Sequence, residues 1–105
     1  MIPEIDIDTF AERRDAGEAV IDVREADEYA EGHVPGAVFV PLSELADRIA
    51  DVPEGPVLVI CKSGARSRNV TEHLIGLGRE ATNVAGGTMA WITSGRDVVA
   101  GMERG

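Results

Sequence analysis

The chain has 105 residues, with ten Lys and Arg against 19 Asp and Glu, 44% hydrophobic residues and a single cysteine, Cys61. That length supports one domain over residues 1–105, and a domain of about 100 residues buries somewhat over 60% of its unfolded surface without needing a disulfide or a metal to fold. One cysteine excludes an internal disulfide and a multi-cysteine zinc site, a formal charge of −9 argues against duplex nucleic acid, and the longest apolar run, Val57 to Cys61, is far short of a membrane span of roughly 20 residues.

Ile5 and Ile7 alternate with Asp6 and Asp8, predicting a short first strand, after which Asp8 caps a helix that runs to about Ala16 and stops at Gly17. Ala19 to Val23 is an apolar run interrupted only by Asp22, short enough for a buried strand. Arg24 to Glu31 reads as one or two helical turns carrying Tyr29, followed by turn chemistry in Gly32-His33-Val34-Pro35-Gly36-Ala37 and a third strand at Val38 to Val40. Leu42, Leu45 and Ile49 lie at helical spacing and predict a helix from about Leu42 to Ala50. After the Pro53–Pro56 loop, Val57-Leu58-Val59-Ile60 is apolar on both faces, as expected at the centre of a parallel sheet. Val70, Leu74 and Leu77 place a helix from near Arg66 or Ser67 to Gly78. Ala81 to Val84 is a fifth strand, and Thr88 is expected to cap a last helix with Met89, Trp91 and Ile92, the tail beyond Asp97 fraying. Strands alternating with helices imply an α/β architecture, a mostly parallel sheet covered on both faces.

The charge is unevenly placed. Residues 1–60 carry 15 acidic and four basic residues, whereas residues 61–105 carry four acidic and six basic ones. The change falls at Cys61, which is followed directly by the only lysine, Lys62.

In an open α/β sheet, ligands bind outside the carboxyl ends of the strands. Cys61 lies there, after the most apolar strand, and opens the loop Cys61-Lys62-Ser63-Gly64-Ala65-Arg66-Ser67 that leads into a helix. Gly64 permits tight curvature, small neighbours let amide N–H groups turn inward, and Lys62 and Arg66 add positive charge. Such a curl cradles an anion and favours thiolate over thiol. Cys61 is therefore the candidate nucleophile, facing an anionic substrate held by Lys62, Ser63, Gly64, Ala65, Arg66 and Ser67. The plainer alternative is a small buried hydrophobe at a strand end. A cation in a helix's first turn is misplaced unless an anion sits there, which favours a functional Arg66. His73 lies about 10 Å along its helix from the loop and His33 in a separate turn, so neither is assigned as a base. Asp22, two residues before Arg24, is expected to pair with it and brace the site edge. Trp91 and Tyr29 are expected in the core.

At these residues the chain resembles the rhodanese-like sulfurtransferase family in its single-domain form. The matching segments are Ile21-Asp22-Val23-Arg24 with Glu28-Tyr29, Gly32-His33-Val34-Pro35-Gly36-Ala37, the loop after Ile60, and Gly86-Gly87 with Trp91. The resemblance implies a three-layer fold around a five-stranded, mostly parallel sheet. It also implies that a thiolate at Cys61 takes sulfane sulfur from thiosulfate or a similar small anionic donor and passes it to cyanide or another thiophilic acceptor, with no metal or organic cofactor. Four residues separate Cys61 from Arg66, one fewer than in the family's phosphatase-like relatives, which disfavours a phosphatase or arsenate reductase. A carrier module serving a sulfur-relay protein is the remaining alternative. No basic segment leads into an apolar stretch at Met1, and a lone thiol suits the reducing cytoplasm, so neither secretion nor membrane attachment is expected.

Overall fold

A computed structural model describes residues 1–105. The elements in chain order are β1 (Glu4–Ile5), α1 (Ile7–Asp15), β2 (Ala19–Asp22), α2 (Ala26–Glu31), β3 (Val38–Phe39), two 3-10 helices (Leu42–Asp47 and Ile49–Asp51), β4 (Val57–Ile60), α3 (Ala65–Gly76), β5 (Ala81–Val84) and α4 (Gly87–Thr93). The five strands form one sheet in the order β1-β5-β4-β2-β3, and every pairing is parallel. The most apolar strand, β4, takes the centre, where all four of its residues are buried.

Alternation along β4 divides the core. Val57, Val59 and Cys61 point to one face with Ile21, Val23, Leu45, Val70 and Leu74, so α3 and the 3-10 segment cover that side. Leu58 and Ile60 point to the other with Phe10, Val20, Val84 and Trp91, covered by α1 and α4. Phe10 meets Trp91 edge to face at 5.6 Å between ring centroids. Tyr29 is fully buried and its hydroxyl donates to the Ala37 carbonyl at 2.6 Å, so both aromatics named from the sequence sit in the core.

Four local expectations are corrected. Ile7 belongs to α1 rather than to a strand, because Asp6, not Asp8, caps that helix by accepting from Thr9 N–H at 2.8 Å. The predicted Leu42–Ala50 helix is two tight 3-10 pieces closed by i to i+3 bonds such as Arg48 N–H to the Leu45 carbonyl at 3.1 Å. A segment confined between Pro41 and Val52 dips Leu45 and Val52 into the core without completing regular α turns. Thr88 is not a cap either: α4 begins at Gly87 behind Gly86, and Thr88 lies inside it.

The fourth correction concerns the tail. Beyond Asp97 the chain returns along the Gly32–Ala37 turn, where His33 and Val99 exchange backbone hydrogen bonds of 2.9 Å each and Gly101 N–H reaches the Ala30 carbonyl at 2.8 Å. His33 and Val34 are fully buried, and buried backbone needs partners that the tail supplies. Both ring nitrogens of His33 face carbonyl oxygens, Tyr29 at 2.8 Å and Glu103 at 2.7 Å, and the ring stacks on Tyr29 at 3.6 Å. His33 thus braces the Gly32–Ala37 turn against the last residues of the chain.

Candidate active site

The carboxyl end of β4 releases the chain at Cys61, which is 1% exposed. The Lys62–Gly64 turn then curls back so that Gly64 N–H donates to Cys61 Sγ at 3.1 Å. Gly64 holds φ at +109°, a conformation that suits glycine, and a side chain there would meet Gly86 N at 3.4 Å. Its carbonyl accepts from Asn83 Nδ2 at 3.3 Å, tying the turn to β5. From Gly64, α3 starts at Ala65, one residue before the expected position, and its first turn carries Ser67 under the sulfur. Ser67 Oγ donates to Cys61 Sγ at 3.2 Å, while the Ser67 carbonyl accepts from Thr71 Oγ1 at 2.8 Å.

Two opposed effects set the thiol's acidity. Burial pushes it up; the Ser67 hydroxyl, followed by the N–H groups of Ser67, Gly64 and Ser63, pulls it down further, leaving Cys61 below the ordinary thiol value. The thiolate is stabilised by hydrogen-bond donors of the loop and the first turn of α3.

The structure places the loop residues unevenly about the sulfur. Ser63 and Gly64 line the curl and Ala65 begins α3. Ser67, expected on a substrate anion, instead faces Sγ. Lys62 is exposed beside a cleft of about 260 Å³ shared with Arg24, Glu28, Glu31, Thr88 and Met89. Arg66 is engaged elsewhere: both terminal nitrogens donate to Glu28 of α2, at 2.7 and 2.8 Å. The anion that reconciles a cation with a helix N-terminus is therefore supplied by the protein itself. Asp22 and Arg24 form the expected pair, with Arg24 NH2 at 2.8 Å from Asp22 Oδ2 and 2.9 Å from the Gly32 carbonyl. Asp22 is fully buried and Arg24 is 6% exposed. Since Asp22 pairs with Ile60 across β2 and β4, this ion pair sits one residue from Cys61. His73 is exposed and His33 is committed to the tail, so neither reaches the thiol.

Two contributors had no site role assigned from the sequence. Glu28 is one, its partner lying 38 residues away. Gly87 is the other. Here α4 touches the loop directly, Thr88 N–H donating to the Cys61 carbonyl at 2.8 Å and Met89 N–H to the Lys62 carbonyl at 3.0 Å. A Cβ on Gly87 would fall 2.6 Å from the Lys62 carbonyl oxygen and closer still to that of Cys61. The Gly86-Gly87 pair was the visible signal, matched with Trp91 to the family but given no contact with the loop.

The model of the rhodanese-like domain matches residues 6–94, a span that includes the whole Cys61 loop and every strand but β1. The chain belongs to the rhodanese-like family. Among its rhodanese-like relatives, the "Putative sulfurtransferase YtwF" of Bacillus subtilis is 39% identical over 93 residues, covering 86% of this chain and 90% of that protein. The "Putative sulfur carrier protein YrkF" of the same organism is 35% identical over 86% of this chain, which spans about half that relative's length, 51%. A solved rhodanese-related protein from Thermoplasma volcanium aligns with a TM-score of 0.86 at 32% identity, covering 96% of this chain and 99% of that one. These matches bear out the three-layer α/β fold with a five-stranded parallel sheet. No helix of this rhodanese-like chain is long and apolar enough to cross a membrane.

Proposed function

We propose that this chain is a sulfurtransferase that carries sulfane sulfur as a persulfide on Cys61, taken from thiosulfate or a similar donor and given to cyanide or a thiol. The observation that carries this reading is the sulfur's setting. Sγ lies at the carboxyl end of the central strand, and the Gly64 amide and the Ser67 hydroxyl, 3.1 and 3.2 Å away, donate to it. Those donors favour the thiolate needed for attack and remain in place to hold the negative charge of the product.

In the first half-reaction the Cys61 thiolate attacks the donor's sulfane sulfur. A new S–S bond forms as the donor's S–S bond breaks, and sulfite leaves with the bonding pair. In the second, the acceptor attacks the outer sulfur, the Cys61 S–S bond breaks, and the thiolate returns. The cycle is redox-neutral, consumes no proton and needs no second thiol in the chain. Lys62, at the cleft, meets the anionic portion of the donor, the Ser63–Ala65 backbone shapes the pocket, and the Asp22–Arg24 pair fixes the strand end beneath it. The four residues between Cys61 and Arg66 make a ring suited to one sulfur atom rather than a tetrahedral phosphate. A reducing compartment such as the cytoplasm would keep this thiol active.

A carrier reading has support of its own. Met89 and Ile92 beside the cleft are 52% and 53% exposed, apolar surface on which a protein acceptor could seat. Thiocyanate production from thiosulfate and cyanide tests the enzymatic reading. Wild-type protein is expected to turn over and Cys61→Ser to be inactive. Transfer to a protein thiol with no thiocyanate formed would favour the carrier, and equal turnover by Cys61→Ser would overturn both.

A further inference from the structure

Arg24 and Lys62 line the cleft beside the Cys61 loop, Arg66 of that loop reaches the cleft residue Glu28, and two of these three cations are already spent. Arg24 is consumed by buried Asp22. Arg66 is gripped through both terminal nitrogens by Glu28, whose Oε1 also accepts from Glu25 N–H at 3.2 Å at the start of α2. Glu28 is thus held from two sides, and the Arg66 hydrogen bonds keep its carboxyl near a pKa of about 2, so it stays charged at any working pH. Lys62 has no carboxylate within 4.0 Å, and Glu31 adds another negative group to the cleft wall.

We propose that Glu28 is a specificity-determining residue of this site: an internal counter-ion that cancels Arg66, leaves Lys62 as the one unpaired cation there, and, among the donors that can load Cys61, makes those of low net charge, such as an organic persulfide, better donors than the thiosulfate dianion. A highly charged donor must share or break the Arg66–Glu28 fork to use Arg66. A donor whose sulfane sulfur sits on a weakly charged carrier meets the site as it stands. The proposal rests on the reading of Cys61 as the nucleophile and names the donor class.

Its test is the alkylation of Cys61 by iodoacetate, which is anionic, and by iodoacetamide, its neutral counterpart. The same Cys61 thiolate attacks both at carbon and displaces iodide, so the ratio of their rate constants cancels any change in thiolate fraction or loop order that a structural role would produce. Glu28→Gln keeps an oxygen for Glu25 N–H while removing the charge. The iodoacetate-to-iodoacetamide ratio is expected to rise roughly three- to fivefold in that variant, and less at high salt. The double variant Glu28→Gln, Arg66→Gln removes a neutral pair and is expected to stay within about twofold of wild type. An unchanged or lower ratio in Glu28→Gln overturns the proposal. So does a several-fold fall in the double variant, which would mean that Arg66 attracts anions despite Glu28; this arm serves even where the single variant does not fold. Alkylation requires no sulfur transfer, so failure of the persulfide chemistry would be seen separately.

Discussion

Ser67 donates its hydroxyl to Cys61 Sγ across 3.2 Å from a position with no solvent exposure. A buried donor so placed has no other partner to satisfy, and its effect is felt by the sulfur alone.

It follows that Ser67→Ala weakens the thiolate. With one donor gone, burial is less fully opposed, and the pH profile of Cys61 alkylation moves to higher pH. Wild-type protein is expected to show its inflection below that of an ordinary thiol, and the variant to react about tenfold more slowly at neutral pH. Stopped-flow alkylation across pH checks both; coincident profiles would contradict the role given to Ser67.

Gly87→Ala disturbs the contact of α4 with the loop. The new methyl group would crowd the Cys61 and Lys62 carbonyls, and Gly87 holds φ at +57°, so the change adds backbone strain to overpacking. A loss of roughly 2 kcal/mol is expected in urea unfolding, together with slower Cys61 alkylation. Gly17→Ala also meets a positive φ, but with nothing within 4 Å of the added carbon, and is expected to leave Cys61 reactivity unchanged.

The Glu28–Arg66 pair predicts an acid-labile share of stability. Glu28 has its pKa lowered in the folded chain from 4.5 to about 2, so the unfolded state binds the proton first as pH falls. The contribution is present above about pH 4.5 and disappears as pH drops toward 2. Wild-type protein should therefore exceed Glu28→Gln in melting temperature near neutrality, and the gap should close over that interval. A gap independent of pH would contradict the assignment.

Asp22→Asn leaves the Arg24 guanidinium buried without its counter-charge. The expected cost is about 3 kcal/mol or more in urea unfolding, far beyond a surface substitution. Replacing Asp22 and Arg24 together by apolar residues should cost less than the single change, because no orphaned charge remains.

How far the fold could be read from the chain follows from the range of the forces involved. Val57 to Ile60 is apolar without interruption and Gly64 follows at once, so the central strand, the turn and Cys61 at its head were legible from local pattern. The 3-10 segment was not, since Leu42, Leu45 and Ile49 fit an α period and only the tertiary path from Pro41 to Val52 selects the tighter turn. Asp6 and Asp8 are equivalent caps by composition, and where β1 ends against β5 decides between them. The least legible feature was chemical: Arg66 called for an anion, and nothing local indicates that α2 delivers Glu28 to it. The tail after Asp97 is short, carries two glycines and has no helical or strand period, which suggests fraying, while its pairing with His33 depends on a buried turn far away in sequence.

Whether Cys61 bears the transferred sulfur is read most directly by intact-mass analysis after reduction, incubation with thiosulfate and removal of excess reagent. Wild-type protein is expected to be heavier by one sulfur atom, the increment to be lost on adding cyanide, and Cys61→Ser to show no increment. An unchanged wild-type mass with Cys61 still reduced and open to alkylation, or the same increment in Cys61→Ser, would contradict the Cys61 persulfide.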